Sequence, residues 1–208
     1  MTVYTSAGSV YEIDLRLRPS GSSGVLVTSL DGFRKYQETH AWTWEHQALV
    51  RARYICGSTG LQEGFNLVRQ DILTHHRDNE TLRTDVREMR EKMWKEHGTL
   101  TAGTFNLKKS PGGITDIEFM VQYMVLAHAA EHPALCRWTD NVRILESLAK
   151  EDILAQDTAR ILDECYRAFR DEIHHLKLKG CSSQVPADRF VQQRTFIQTC
   201  WESLLGKH

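Results

Sequence analysis

One carboxylate, Asp14, lies in the middle of a stretch from Val10 to Arg18 in which apolar and charged residues alternate. This period of two predicts a half-buried strand whose polar face carries Asp14 together with Glu12, Arg16 and Arg18. A carboxylate between apolar neighbours is costly unless it faces solvent, a cation or a metal. Two interpretations remain open: a solvated strand face with alternating charges, or a metal ligand beside arginines that neutralise phosphate oxygens.

The turn that follows this predicted strand, Arg18 to Gly24, is rich in serine and glycine. Its glycines permit close backbone approach, and the hydroxyls and amides around Ser20 and Gly21 could hold a phosphate. A plain hairpin turn explains the same residues equally well. After the turn, Val25 to Thr28 predicts a short second strand, whereas Met1 to Ser9 is small and polar and predicts none.

A second feature with possible chemistry is the basic, glycine-rich loop from Lys108 to Gly113. Glycines before a helix N-terminus can form an anion site, but Asp116 in the first turn would repel an anion unless a metal intervenes. A loop followed by a well-capped helix explains the pattern too. In that interpretation Thr115 is the N-cap and Glu118, three residues on, completes a capping box.

The elements that must position these residues are helices, because everything after Ser29 predicts helix. The predicted segments are 30–39, 42–56, 61–75, 80–97, 115–130, 140–149, 155–178 and 187–205. Asp140 or Thr139 is the predicted cap of the sixth segment. Apolar residues at helical spacing should face a core; they are Leu145, Leu148, Leu162, Tyr166, Phe169, Ile173 and Leu176. The predicted fold class is mainly α, a bundle-like helical domain preceded by a short β-hairpin.

Composition limits the function classes. The chain has 208 residues, 41% apolar and 25% charged, and a net charge of −1, which does not indicate a nucleic-acid binder. No apolar run approaches the roughly 20 residues of a membrane helix, and we find no signal peptide. The five cysteines are scattered and contain no CxxC pair. We therefore expect reduced thiols in a cytoplasmic protein.

Five motifs, in this order, resemble the glutamine synthetase adenylyltransferase (glutamate–ammonia-ligase adenylyltransferase) family. They are Tyr11 to Gly21, Trp42 to Arg53, Gly112 to Phe119, Arg137 to Leu145 and Phe169 to Leu176. The resemblance spans nearly the whole chain, and several long motifs in register are far more specific than any one alone.

Members of this family are bifunctional: the N-terminal half removes AMP from glutamine synthetase and the C-terminal half attaches it. The removing half usually carries a Trp-Glu-Arg-Tyr run and an Ile-Arg-Glu-Ile-Glu-Phe run. The corresponding stretches here, Trp44 to Gln47 and Ile114 to Phe119, resemble the attaching half. The chain also ends soon after Trp201, as the resemblance leads us to expect for the C-terminus of that half.

The resemblance implies a reaction in which AMP passes from ATP to a tyrosine hydroxyl of glutamine synthetase, with two Mg²⁺ ions at the site. Asp14 would bind one metal ion and help to deprotonate the tyrosine. The residues implied to contact phosphate are Arg16, Arg18, Ser20 and Gly21.

Further residues are implied to position the substrate, directly or through a neighbour: Glu45, Arg51, Asp116 and Glu118. The implied partners are glutamine synthetase and a PII-type signal protein, with no nucleic acid and no membrane. Two alternatives stay open. The chain could be a non-catalytic helical interaction or regulatory module, or it could belong to the AMP-removing, phosphorolytic half.

The sequence departs from the family pattern at one place. Polymerase-beta-like nucleotidyltransferases carry a Gly-Ser turn and an Asp-x-Asp pair before the third carboxylate, and no such arrangement precedes Asp14; the Gly8-Ser9 pair is too close to it. Residues 1–29 are therefore expected to be the last strands of a truncated nucleotidyltransferase domain, and residues 30–208 a helical C-terminal domain. The isolated chain is expected to be inactive.

Overall fold

The computed structural model describes residues 4–5, 8–9, 17–97 and 102–206. Over these residues the fold is mainly α, as predicted. The helices are α1 (Leu30–Thr39), α2 (Thr43–Arg51), α3 (Thr59–Leu73), α4 (Asn79–His97), α5 (Ile114–His128), α6 (Asn141–Lys150), α7 (Gln156–Leu178) and α8 (Val191–Leu205). The strands are β1 (Tyr4–Thr5), β2 (Gly8–Ser9), β3 (Thr104–Asn106) and β4 (Gln184–Pro186).

Four helices begin after a residue whose side-chain oxygen accepts a hydrogen bond from an amide of the first turn. These residues are Ser29, Ser58, Asp78 and Asp140. Each satisfies an amide that has no partner within its helix. The prediction of a cap at Asp140 or Thr139 is thus confirmed at Asp140.

Helix α2 is shorter than predicted, since it ends at Arg51 rather than near residue 56. The carbonyls of Leu49 and Val50, which a longer helix would use internally, accept hydrogen bonds from the guanidinium of Arg69. The backbone at Ala52 is extended. A long-range side chain therefore completes the helix end in place of a further turn.

Helix α5 is the centre of the helical unit and packs against α2, α4, α6, α7 and α8. Ten of its 15 residues are buried, as expected for a helix covered on nearly all sides. Within the described ranges, no helix is both long enough and apolar enough to cross a membrane.

The pair α6–α7 packs as the apolar spacing predicts. Leu145, Leu148, Leu162 and Phe169 are almost inaccessible to solvent, and Tyr166 and Ile173 are also buried. Leu176 is half-buried and packs against the same core. The helical period was therefore sufficient to identify the core face of these two helices.

The prediction of helix alone after Ser29 is wrong at two short strands. Strand β3 pairs antiparallel with β4, and Phe105 lies opposite Val185. Both of these side chains are buried. Strands of three residues are too short to show an alternating pattern, which explains why the sequence did not reveal them.

The predicted hairpin strands are also corrected. Strands β1 and β2 pair with each other, so the prediction of no strand in residues 1–9 is wrong. Val25 to Thr28 forms no strand, and Val25, Leu26 and Val27 are 69–85% exposed. Apolar β-formers need a neighbouring strand before they pair. Residues 10–16, most of the predicted strand, lie outside the described residues; Leu17 and Arg18 form a bend.

Candidate functional site

A cleft of about 420 Å³ opens between the Leu17–Pro19 segment and helices α1, α2 and α3. Its lining includes Arg18, Phe33, Glu45, Leu49, Arg51, Arg53 and Phe65. Three residues singled out from the sequence, Arg18, Glu45 and Arg51, therefore come together in one depression, although they are far apart along the chain.

The cleft combines positive charge with an aromatic surface. Three arginines and one glutamate line it, and the rings of Phe33 and Phe65 lie 6.0 Å apart. Guanidinium groups bind phosphate and carboxylate oxygens, and aromatic rings offer apolar area to a planar group. The arrangement suits an anionic ligand that carries a ring.

Arg18 closes the turn that carries it. Its Nε donates to the carbonyl of Gly24 at 3.2 Å and its Nη2 donates to the carbonyl of Ser22 at 3.1 Å. A Cβ on Gly24 would lie 1.9 Å from the carbonyl oxygen of Pro19, so only glycine fits there. The hydrogen bonds of Arg18 thus hold the turn closed, and Arg18 itself lines the cleft.

Ser20 and Gly21 do not line the cleft. Both have left-handed backbone, with φ of 62° and 54°. The amide of Gly21 donates to the carbonyl of Arg18 at 2.8 Å, so this amide is already used within the turn. A phosphate contact at Ser20 or Gly21 stays a prediction.

Glu45 is fixed at the start of α2 by two contacts. Its Oε1 accepts from the hydroxyl of Tyr36 at 2.8 Å, and its Oε2 accepts from the amide of Trp42 at 2.9 Å. The first contact ties α2 to α1, and the second satisfies an amide at the helix end. Glu45 therefore lines the cleft and also holds α1 and the start of α2 in place around it.

Arg51, at the last residue of α2, is the arginine that connects the cleft to the centre of the unit. Its Nε donates to the carbonyl of Thr139 at 2.8 Å. Its Nη1 lies 3.4 Å from Oε1 of Glu118, on α5. Two of the predicted positioning residues, Arg51 and Glu118, are thus in contact with each other.

Asp116, by contrast, is fully buried and does not line the cleft. Its Oδ1 accepts from Nε of Arg90 and its Oδ2 accepts from the amide of Gly112, each at 2.6 Å. The predicted capping box is wrong: α5 begins at Ile114, and no side chain caps it from Gly113. Asp116 thus already accepts from the amide of Gly112, which an anion bound at the start of α5 would need as a donor.

Sequence reasoning missed Arg69, which is 7% exposed. Its guanidinium donates to the carbonyls of Leu49, Val50 and Cys136. The residue falls three and four positions before Ile72 and Leu73 on the core face of α3, a spacing that could have indicated a buried arginine. The carbonyls that satisfy it could not be found in the sequence.

Asp14 and Arg16 lie outside the described residues, and their implied roles stay predictions. Among the residues that the structure describes, no group of three or more histidine, cysteine or acidic side chains could hold a metal ion. The implied magnesium site at Asp14 therefore stays a prediction, and no metal-dependent step is derived from the described part.

Comparison with known proteins agrees with the motif order. Residues 1–68 match the family model described as Glutamate-ammonia ligase adenylyltransferase, and residues 80–196 match the model described as GlnD PII-uridylyltransferase. The bifunctional glutamine synthetase adenylyltransferase/adenylyl-removing enzyme of Thioalkalivibrio sulfidiphilus (strain HL-EbGR7) is 53% identical over 202 residues. That alignment covers 97% of this chain and 21% of the relative, so the chain spans about a fifth of the relative's length. On these matches, the chain belongs to the glutamate–ammonia ligase adenylyltransferase family.

Proposed function

We propose that this chain is the part of an adenylyltransferase in which the helical unit adjoins the nucleotidyltransferase site. The observation that carries the proposal is the composition of the cleft. Leu17, Arg18 and Pro19, which follow Asp14 by three to five positions, form one wall. Helices α1 to α3 form the others, with Arg51 at the end of α2 and Arg53 two residues beyond it. Three residues of chain span at most about 11 Å, so a ligand in the cleft would lie near the segment that carries Asp14.

The complete protein is proposed to transfer AMP from ATP to a tyrosine of glutamine synthetase. The name of the 53% identical relative supports the adenylyl group and the target protein. The tyrosine oxygen forms a bond to the α-phosphorus, the bond from that phosphorus to the β-phosphate oxygen breaks, and pyrophosphate leaves. Asp14 is proposed to accept the tyrosine proton.

The arginines of the cleft are proposed to hold the phosphates. Arg51 and Arg53 line the same cavity as Arg18, and guanidinium groups pair with phosphate oxygens. Mg²⁺, proposed to be held at Asp14, would neutralise charge on the same phosphates. Because no Asp-x-Asp pair precedes Asp14 in this sequence, the 208-residue chain by itself is proposed not to transfer AMP.

We assign the chain to the attaching half rather than the removing half. Support comes from the runs Trp44 to Gln47 and Ile114 to Phe119, which resemble the attaching half. The two halves differ in co-substrate: attachment consumes ATP, whereas phosphorolytic removal consumes inorganic phosphate. A protein that contains the whole attaching half and lacks the removing half should transfer labelled AMP from ATP to glutamine synthetase. It should not release AMP from glutamine synthetase when phosphate is added.

A PII-type signal protein is proposed as a second partner of the complete protein, in the cytoplasm. Support comes from the family model that matches residues 80–196, which is named for an enzyme that acts on PII. The matched range covers most of α4 to α8, so the helical unit is the part proposed to receive the signal.

Arg53 offers the cleanest test of the cleft. It is exposed and, among the described residues, makes no hydrogen bond or ion pair, so Arg53→Ala should leave the melting temperature of the complete enzyme unchanged. A charge-assisted hydrogen bond contributes about 1.5–3 kcal/mol, so loss of a phosphate contact should lower kcat/KM about tenfold or more. The assay is transfer of labelled AMP from ATP to glutamine synthetase. Arg170→Ala, which removes an exposed arginine of α7, is the control; equal rates for both variants would refute a phosphate contact at Arg53.

A further inference from the structure

Arg51 is held in the cleft by acceptors that lie outside the cleft. Thr139 and Glu118 accept from its Nε and Nη1 at 2.8 and 3.4 Å, and neither residue lines the cavity. Among the described residues, Nη2 of Arg51 donates to no protein atom. That end of the guanidinium therefore remains for a ligand.

The carbonyl that holds Nε is itself anchored. Arg69 donates to the carbonyls of Leu49 and Val50 at the end of α2. The same guanidinium donates to the carbonyl of Cys136, three residues before Thr139. The last turn of α2 and the segment that carries Thr139 are thus tied together, which fixes one of the two contacts of Arg51.

One fixed hydrogen bond does not determine the plane of a guanidinium, because the group can still rotate about the Nε–H···O direction. The second contact, from Glu118, removes this freedom. A side chain that is already oriented loses less conformational entropy when it binds its ligand, and the planar group of arginine binds phosphate well only in the correct plane.

We propose that Glu118 is a positioning residue: it orients Arg51 so that Nη2 faces the anionic group of the substrate, and it does not touch the substrate itself. The inference rests on the proposed function of the cleft. It assigns to α5, a helix outside the cleft, control over how tightly the cleft holds ATP.

Glu118 has a second effect of opposite sign, because its charge partly neutralises Arg51. The two side chains are 35% and 32% exposed, and at such exposure water screens most of the Coulombic attraction. Orientation therefore outweighs charge. Glu118→Gln separates the two effects, since glutamine keeps an acceptor oxygen and loses the charge.

The experiment uses the complete adenylyltransferase and measures kcat and KM for ATP. Glu118→Ala should raise KM about threefold to tenfold, as expected for a long side chain that is no longer immobilised, while kcat and the melting temperature stay near wild type. Glu118→Gln should restore KM to within about twofold. The control is Glu172→Ala, which removes the carboxylate that pairs with Arg189 at 2.8 Å and should change neither constant.

A double mutant decides whether Glu118 acts through Arg51. If it does, Arg51→Ala combined with Glu118→Ala should be no worse than Arg51→Ala alone. If the effects of the two substitutions on KM multiply in the double mutant, or if Glu118→Ala has the wild-type KM, the positioning role of Glu118 is overturned. The proposed function would still stand in either case. A wild-type KM for Arg51→Ala would show that Arg51 does not hold the anion of ATP and would also overturn the positioning role, whereas the proposed function of the cleft is tested separately at Arg53.

Discussion

Arg90 and Asp116 form an ion pair that is closed to solvent, with Nε and Oδ1 2.6 Å apart and side-chain exposures of 3% and 0%. Nη2 of Arg90 also donates to the carbonyl of Lys109, and Oδ2 of Asp116 accepts from the amide of Gly112. The pair therefore joins α4, α5 and the basic loop between β3 and α5. It is a connection between elements rather than part of the cleft.

Removal of one partner should be strongly destabilising. Asp116→Ala leaves the charge of Arg90 buried and unpaired, and we expect the free energy of unfolding in urea to fall by about 3–5 kcal/mol. Asp116→Leu combined with Arg90→Met removes both charges and should recover most of that loss. The comparison is Glu172→Ala, whose exposed pair should contribute less than about 1 kcal/mol. A similar small loss for Asp116→Ala would show that the buried pair is not needed.

His46 gives the fold a dependence on pH. Its Nε2 lies 3.0 Å from the carbonyl of Gln37, and its Nδ1 lies 3.4 Å from Nη2 of Arg77. Because an arginine can only donate, Nδ1 is the acceptor and the ring is neutral. Burial lowers the pKa of His46 below its ordinary value of 6.5, and the charge of Arg77 lowers it further.

These protonation states determine how the stability of the fold changes with pH. Below about pH 6.5 the unfolded chain binds a proton at His46 that the folded chain resists. The stability from the neutral ring is therefore present above that pH and is lost as the pH falls. Wild type should lose more unfolding free energy between neutral and mildly acidic pH than His46→Gln does. His174→Gln, an exposed histidine of α7, should behave as wild type; identical pH profiles for wild type and His46→Gln would contradict this role.

The cysteines should fall into reactivity classes. All five are free, with Cys56 and Cys181 exposed, Cys136 and Cys165 buried, and Cys200 between these extremes. Burial raises the pKa of Cys165 to about 11, so it carries little thiolate at neutral pH. An alkylating reagent should modify Cys56 and Cys181 first and should reach Cys136 and Cys165 only after unfolding. Mass spectrometry of the peptides measures the order, and early modification of Cys165 would mean that α7 opens readily.

The sequence was a good guide wherever the determinants are local. Helical spacing and capping residues placed all eight helices of the described ranges, because both signals act within a few positions. The cap at Asp140 and the buried face with Phe169 were predictable for this reason. The prediction of a strand at Val25 to Thr28 was wrong because a strand forms only beside a partner strand, and the sequence of the segment itself does not show whether that partner is present.

The candidate site was only partly predictable. Arg18, Glu45 and Arg51 were identified from motifs, but their convergence on one cleft depends on packing. The contact between Arg51 and Glu118 joins residues 67 positions apart. The motif around Thr115 and Asp116 was misinterpreted as a capping box because Arg90, which engages Asp116, lies on another helix.

The central claim, that this protein is proposed to take part in AMP transfer, depends on Asp14. Asp14→Asn keeps the size of the side chain and removes its charge. A solvated strand residue would tolerate this change within about 0.5 kcal/mol of stability. Loss of a metal ligand should lower the rate about 100-fold or more, the scale of a lost transition-state charge contact.

The most direct measurement is the rate of labelled AMP transfer from ATP to glutamine synthetase by the complete Asp14→Asn enzyme, together with its melting temperature. We predict a loss of about 100-fold or more in rate with an unchanged melting temperature. An Asp14→Asn enzyme that transfers AMP at the wild-type rate would contradict the account, and Glu12 would become the next carboxylate to test.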